Sequence, residues 1–171
     1  MKRICFLCIG LFLIMQASHA QKGNNQISIG PEVDLPIGSF GDAYSVGFGG
    51  TIKGLYGIGS AGQVTLTTGY LHFKGKSGTT NGYSFAGQTF SIIPYLVGYR
   101  HNFKPWYVEP QLGLASYNTK AGSFKFSETR FTYGLGAGYM MNNLDLGLRL
   151  QSHTGATLLA FRAAYSFNFG K

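Results

Sequence analysis

The sequence is poor in cysteine and in charged residues. Its two cysteines, Cys5 and Cys8, lie near the start, so the rest of the chain has no thiol for a disulfide or a zinc site. Charged residues make up only 12% of the chain, and six are acidic. After Met15 no apolar run reaches the ~20 residues that a membrane-spanning helix needs. The chain must therefore gain its stability without disulfides.

Residues 1–20 have the pattern of a secretory signal peptide. Two basic residues precede an apolar run, and Ala20 ends a small-x-small cleavage site. We therefore predict that export removes this segment and that the mature chain starts at Gln21. The mature residues, 21–171, have a length that suits one domain.

The mature chain is basic but shows no compact basic cluster. Without the two basic residues of the leader it has twelve basic and six acidic residues, a formal charge of +6. Such a charge could meet anionic lipid or nucleic acid. Because the basic residues are scattered among strands and loops, we expect no nucleic-acid partner.

Glycine and aromatic residues are abundant, and apolar residues recur at every second position. The clearest stretch is 157–169, where large apolar side chains alternate with small, polar or charged ones. Side chains alternate across a β-strand, so this pattern predicts a strand with one apolar and one polar face. Its length matches the ~9–11 residues of a tilted strand that crosses a membrane.

Eight such segments occur along the mature chain, at 26–35, 44–56, 63–73, 88–101, 106–116, 130–139, 144–151 and 157–169. Longer loops follow the first, third and fifth segments and short turns follow the second, fourth and sixth, an asymmetry typical of outer-membrane barrels. Only the last outer loop, after the seventh segment, is short. The sequence predicts an all-β fold, an eight-stranded antiparallel up-and-down transmembrane β-barrel. Pro31, Pro94 and Pro110 fall inside proposed strands, and we expect bulges or strand ends there.

The placement of charge predicts which face meets lipid. Seven charged residues fall on the polar side of their strands and are predicted to form a charge network in the lumen: Glu32, Lys53, Arg100, Glu109, Arg130, Arg149 and Arg162. A cation on the lipid side would cost about 2–4 kcal/mol at the midplane. We expect Glu32 and Arg162 to be neighbours across the closure of the barrel, in a lumen that is filled rather than open.

Aromatic residues near the strand ends predict two interfacial girdles. The predicted girdle residues are Tyr44, Tyr56, Tyr70, Tyr99, Trp106, Tyr139 and Phe167.

The mature chain resembles the small eight-stranded outer-membrane β-barrel proteins of Gram-negative bacteria, of the outer-membrane protein X and A kind. Three segments are closest to the porin-like barrels of Bacteroidota: GPEVDLPIGSFGDAYSVGFGGTIKGLYGI at 30–58, YVEPQLGL at 107–114 and FRAAYSFNF at 161–169. The resemblance implies location in the outer membrane, contact with its lipids, and insertion by the barrel-assembly machinery, which reads an aromatic C-terminal strand. Here Gly170 and Lys171 follow Phe169, a small departure from that pattern.

The sequence predicts a structural or surface-interaction role and no enzyme. We expect no catalytic, cofactor-binding or metal site, because the mature histidines occur singly, without ligand spacing. Two alternatives stay open. A secreted, soluble lipocalin-like ligand carrier would turn its apolar faces inward. An outer-membrane lipid-modifying enzyme would use Ser152 and His153 as a hydrolase dyad.

Overall fold

The computed structural model describes residues 25–76, 78–80, 83–85, 89–121, 124–153 and 156–169. The predicted signal peptide, its cleavage site and the last two residues lie outside the described residues. Eight strands close into a single antiparallel barrel, and two short strands form a separate hairpin. The predicted fold class is confirmed.

The strands and the one short helix have these bounds: β1 Gln26–Ile37, α1 Ser39–Ala43, β2 Tyr44–Ile58, β3 Gly62–Gly75, β4 Gly78–Thr80, β5 Tyr83–Phe85, β6 Thr89–Asn102, β7 Trp106–Ala121, β8 Phe124–Met141, β9 Leu144–His153 and β10 Ala156–Asn168. Around the barrel the order is β1-β10-β9-β8-β7-β6-β3-β2. The end with the β2–β3, β6–β7 and β8–β9 turns is called the turn end, and the opposite end the loop end. No helix among the described residues is long and apolar enough to cross a membrane.

The strands turn their apolar side chains outward. Leu148 and Tyr165 are 43% and 51% exposed, whereas Arg149 and Arg162, on the opposite face of the same strands, are each 7% exposed. A soluble ligand-carrying barrel would have the reverse arrangement. An outward apolar face and a closed hydrogen-bonded wall are what a bilayer requires.

The three prolines predicted to lie inside strands form neither bulges nor strand ends, so that expectation was wrong. Each has a partner in one neighbouring strand: Pro31 opposite Gly50, Pro94 opposite Ala115 and Pro110 opposite Leu135. Toward the other neighbouring strand the proline has no paired residue, and beyond this gap the two strands pair in the same register as before. A residue of an antiparallel ladder bonds through its N–H to one neighbour only. The missing N–H therefore interrupts one flank and leaves the strand continuous.

The β7–β8 hairpin is longer than the sequence indicated. Residues 117–125, predicted to be a loop, belong mostly to these two strands, which pair out to Ala121 and Phe124. On the other side of β8, strand β9 reaches only as far as His153, which pairs with Thr132 of β8. The first part of β8 therefore extends beyond the wall that β9 forms.

The interior has two parts. At the loop end six buried side chains form an apolar cluster, made of Leu71, Phe73, Phe90, Ile92, Ala115 and Leu158. Between this cluster and the turn end most buried side chains are polar or charged, with Leu55 and Leu96 among the exceptions. Strand β3 shows the change along one face, because Thr65 and Thr67 are followed by Leu71 and Phe73.

Candidate functional site

Glu109 lies at the centre of the buried charges. Lys53 Nζ donates to both of its carboxylate oxygens at 2.9 Å, and Arg100 Nε donates to Oε2 at 3.0 Å. Thr65 and Gln111 also donate to this carboxylate. Two cations and two polar side chains from four different strands therefore converge on one carboxylate.

Asp145 connects this group to the other side of the lumen. It accepts hydrogen bonds from Arg100 at 3.1 Å, from the Tyr107 hydroxyl at 2.6 Å and from Arg162 at 3.4 Å. Both Asp145 and Arg100 are fully buried. Asp145 was not among the predicted network residues, although it lies on the polar side of its strand.

Glu32 is the carboxylate of a second group. It forms an ion pair with Arg149 and accepts a hydrogen bond from the Thr51 hydroxyl at 3.1 Å. Glu32 and Arg162 are register partners of β1 and β10, as expected across the closure. The Arg162 side chain turns elsewhere, however, and donates to the Ser28 hydroxyl and carbonyl oxygens, both at 3.0 Å.

The charge network has equal numbers of acidic and basic groups. Its eight members, all buried, are Glu32, Asp34, Lys53, Arg100, Glu109, Asp145, Arg149 and Arg162. The space left among these side chains is about 20 Å³. That is room for roughly one water molecule.

Glycine makes the space in which Tyr107 lies. Tyr107 is buried, and its register partner across the sheet is Gly138. A Cβ at Gly138 would overlap the Tyr107 ring and come within 2.5 Å of the Leu146 carbonyl oxygen, and one at Gly147 would lie 2.9 Å from the Tyr107 hydroxyl. Sequence analysis missed Tyr107, although its inward position follows from the alternation of its strand.

Arg130, one of the predicted network residues, lies outside the network. It is on the part of β8 that extends past the end of β9, and its side chain is 40% exposed. Its partner is Glu128, two residues earlier on the same strand face, with 2.7 Å between Nη2 and Oε2. The hydrogen bond from Arg130 lowers the pKa of Glu128. The alternation along β8 correctly placed Arg130 on the inner side of its strand. It could not show that the neighbouring wall, and with it the lumen, ends before Arg130.

Six predicted girdle residues lie on the outer face, and one does not. Tyr56, Tyr70, Tyr99, Trp106, Tyr139 and Phe167 follow the outward alternation, and Trp106 packs against Tyr139 with ring centroids 4.9 Å apart. Tyr44 instead points into the loop end and lies against Phe90 at 4.4 Å. The register of β2 against β3 shifts between Tyr44 and Gly47, and this irregularity reverses the side that Tyr44 faces.

The histidines do not form a catalytic or metal-binding arrangement in the described part of the chain. No group of three or more histidine, cysteine or acidic residues that could hold a metal occurs there. Ser152 and His153 are successive strand residues, which point to opposite faces. The Ser152 hydroxyl lies 3.3 Å from that of Thr157, and the His153 ring packs on Tyr117.

A family model described as outer membrane protein beta-barrel domain matches residues 4–168. The chain belongs to this outer-membrane β-barrel family. The resemblance to small eight-stranded outer-membrane barrels is thereby confirmed, and the Bacteroidota type stays a prediction. No curated protein sequence matches the chain significantly.

Solved structures with the same fold include bacterial surface proteins. Ail, the attachment invasion locus protein of Yersinia pestis, in complex with the heparin analogue sucrose octasulfate, is 15% identical, with a TM-score of 0.60 over 86% of this chain and 100% of the Ail chain. Neisserial surface protein A is 17% identical, with a TM-score of 0.55 over 85% and 97%. The N-terminal barrel of Pseudomonas aeruginosa OprF is 15% identical, with a TM-score of 0.53 over 85% and 99%. At these identities the likeness shows the fold alone.

Proposed function

We propose that this outer-membrane barrel is a non-conducting, non-enzymatic scaffold that presents its loop end for surface interaction. The observation that carries the proposal is the balanced charge network, in which four cationic and four acidic side chains fill the lumen. Each of the four cations forms an ion pair with a buried carboxylate, so none needs a passing ion to neutralise it. Eight-stranded barrels have interiors just wide enough for side chains to fill.

Two further features support a closed lumen. The space of about 20 Å³ within the network is far too small for a hydrated ion path. The apolar cluster, with Phe73 and Ile92 fully buried, lies between the network and the loop end. An ion entering from that end would have to cross an apolar layer before it met the first charge of the network.

Single-channel recording in planar bilayers tests this proposal. The wild-type protein is expected to give no steady conductance. The double variant Lys53→Ala/Glu109→Ala opens space inside the network, but it leaves the apolar cluster in place and is therefore expected to give at most small, brief openings. Arg130→Ala, outside the network, is the matched control and should behave as wild type. A large, steady conductance of the wild-type protein would overturn the proposal.

Export and assembly complete this proposal. The leader over 1–20 would direct the chain across the inner membrane, and the barrel-assembly machinery would insert the barrel with its apolar face against outer-membrane lipids. Strand β10, with Phe161, Tyr165 and Phe167 on its outer face, is the aromatic C-terminal strand that this step would read. Mass spectrometry of the protein purified from outer membranes should give Gln21 as the first residue.

A second candidate role is binding of an anionic partner at the loop end, which faces outward in proteins of this topology. Because the formal charges of the network cancel, the net positive charge of the described residues lies mainly at the loop end. The loop end carries five cations, Lys74, Lys76, Lys120, Lys125 and Arg130, and two acids, Asp42 and Glu128. Lys120 and Lys125 are also direct register partners.

The Ail structure with a heparin analogue supports the same role, since it shows that a barrel of this fold can take a sulfated ligand. Sucrose octasulfate is therefore a suitable probe. The double variant Lys74→Gln/Lys76→Gln is expected to weaken its binding about tenfold, which is ~1.4 kcal/mol. Lys104→Gln, at the turn end, is the control and should have no effect. Absence of binding at 0.15 M salt, or an equal loss in both variants, would contradict this role.

A further inference from the structure

A small aromatic pocket opens at the loop end, above the apolar cluster. It has a volume of about 150 Å³ and is lined mainly by ring side chains. Its lining consists of Phe40, Tyr44, Phe90, Tyr117 and Phe126, with Thr119, Glu128, Arg130 and His153. None of these residues belongs to the charge network, so the pocket does not depend on whether the lumen conducts.

The walls of the pocket are held in place by contacts among the rings. Tyr44 packs on Phe90 with centroids 4.4 Å apart, and Phe40 meets Phe90 edge-on at 5.4 Å. Phe90 in turn stacks on the buried Phe73 at 4.6 Å. On the opposite side Tyr117 packs edge-on against His153 at 4.7 Å. The pocket is therefore formed before any ligand arrives.

Two polar features of the pocket bear on which ligand it takes, the Tyr117 hydroxyl and the Glu128–Arg130 pair. The Tyr117 hydroxyl is buried and has no hydrogen-bond partner among the described residues. Buried hydroxyls nearly always have a partner, so this group is suited to bind one. At the rim, Glu128 and Arg130 form an ion pair with side chains about 40% exposed. Arg130 already neutralises the Glu128 carboxylate. The pocket is therefore poorly suited to an ammonium cation, a ligand that aromatic pockets otherwise bind well.

We propose that this pocket binds a single aromatic ring that carries a hydroxyl group, a ligand of the phenol type. An apolar cavity of about 150 Å³ accommodates one benzene-sized ring. The surrounding rings offer it edge-to-face and offset contacts. A small shift of the surrounding rings would let the Tyr117 hydroxyl, buried in the free barrel, donate its hydrogen bond to the ligand hydroxyl. The ring belongs either to a small phenolic molecule or to a tyrosine side chain of a partner peptide.

Isothermal titration of the full barrel in lipid nanodiscs tests the proposal, with empty nanodiscs correcting for partition of the probe into lipid. Three probes are used: p-cresol, toluene, and a short peptide containing one tyrosine. Saturable binding of p-cresol or of the peptide is expected, with toluene weaker. Binding of p-cresol alone indicates a small-molecule ligand, and binding of the peptide alone indicates a protein ligand.

Two variants locate the binding. Phe126→Ala removes a wall at the exposed rim and is expected to weaken binding about tenfold. Tyr117→Phe keeps the ring and the volume, so it should fold normally and abolish the preference for p-cresol over toluene. Phe103→Ala, an exposed ring at the turn end, is the control and should bind as wild type. Heat-shifted migration on detergent gels confirms that each variant is folded.

The proposal is overturned if neither p-cresol nor the peptide binds above empty nanodiscs. It is equally overturned if Phe126→Ala and Tyr117→Phe both bind as the wild type does. The Tyr117→Phe result decides the matter even if Phe126→Ala fails to fold, because loss of the preference for p-cresol in that variant assigns the preference to the Tyr117 hydroxyl and not to the other polar groups of the lining.

Discussion

The guanidinium carbon of Arg100 lies 3.6 Å from the centroid of the Tyr107 ring, so the two side chains are stacked inside the barrel. A cation over an aromatic face is stabilised by the ring quadrupole, most strongly where water is excluded. The same Arg100 donates to Glu109 and to Asp145, and Tyr107 donates to Asp145. Arg100 therefore links two acidic residues and one ring, and its fully buried charge is compensated on three sides.

Tyr107→Phe separates the two roles of Tyr107. The ring and its stacking on Arg100 remain, but Asp145 loses its hydrogen bond at 2.6 Å. A buried acceptor left without its donor costs about 1–3 kcal/mol, and we expect a decrease of that size in the free energy of unfolding. Urea unfolding in lipid vesicles measures it. Tyr133→Phe on the lipid-facing surface is the control, and an equal effect in both variants would contradict the assigned role.

Glu109→Gln is expected to be the most destabilising of the conservative changes. The amide keeps the shape but leaves Lys53 and Arg100 with one carboxylate fewer in a buried setting. Breaking a buried ion pair from one side costs about 3–5 kcal/mol. Adding Lys53→Met should recover part of the loss, because the uncompensated cation is then removed.

The control for Glu109→Gln is Glu128→Gln, which breaks the exposed pair with Arg130 and should change stability little. Urea midpoints of the three variants, compared with wild type, give the result. If Glu109→Gln were no more destabilising than Glu128→Gln, the buried network would not contribute as described.

Gly138→Ala tests how tightly the lumen is filled. The added methyl group would overlap the Tyr107 ring and crowd the Leu146 carbonyl oxygen. Overpacking of this kind costs about 1–3 kcal/mol. At Gly54, by contrast, a Cβ would meet nothing within 4 Å, so Gly54→Ala should be neutral. Thermal unfolding of the two variants in detergent distinguishes them, and equal midpoints would show that the lumen is looser than the structure indicates.

The period-two pattern was sufficient to predict the fold because each strand has one lipid-facing side, and that side must be apolar along its whole length. The inner side has no such constraint. Near the loop end it is apolar too, at Leu71, Phe73 and Ile92, and alternation alone could not indicate that cluster. Tyr44 was assigned to the wrong side because the irregularity between Tyr44 and Gly47 leaves no mark in the pattern of residue types.

Ion-pair partners could be predicted less well than strand neighbours. The sequence correctly indicated that Glu32 and Arg162 are adjacent across the closure. Arginine side chains are long, however, and reach past their nearest neighbour. Glu32 pairs with Arg149, and Arg162 with Asp145. Backbone register fixes which residues are close, whereas the shape of the filled lumen decides which of them bind each other.

The central claim is the orientation of the barrel wall, with apolar side chains in lipid and charges inside. The predicted mature chain has no cysteine, so single spin labels can be attached through Leu148→Cys, at the middle of β9, and Phe126→Cys, beyond the wall. Power-saturation electron paramagnetic resonance in lipid vesicles then compares access of oxygen, which enters lipid, with access of a water-soluble nickel chelate. The structure predicts a label at 148 reached by oxygen and not by nickel, and a label at 126 reached by nickel. A label at 148 that nickel reaches freely, or that is immobile and shielded from both, would contradict it.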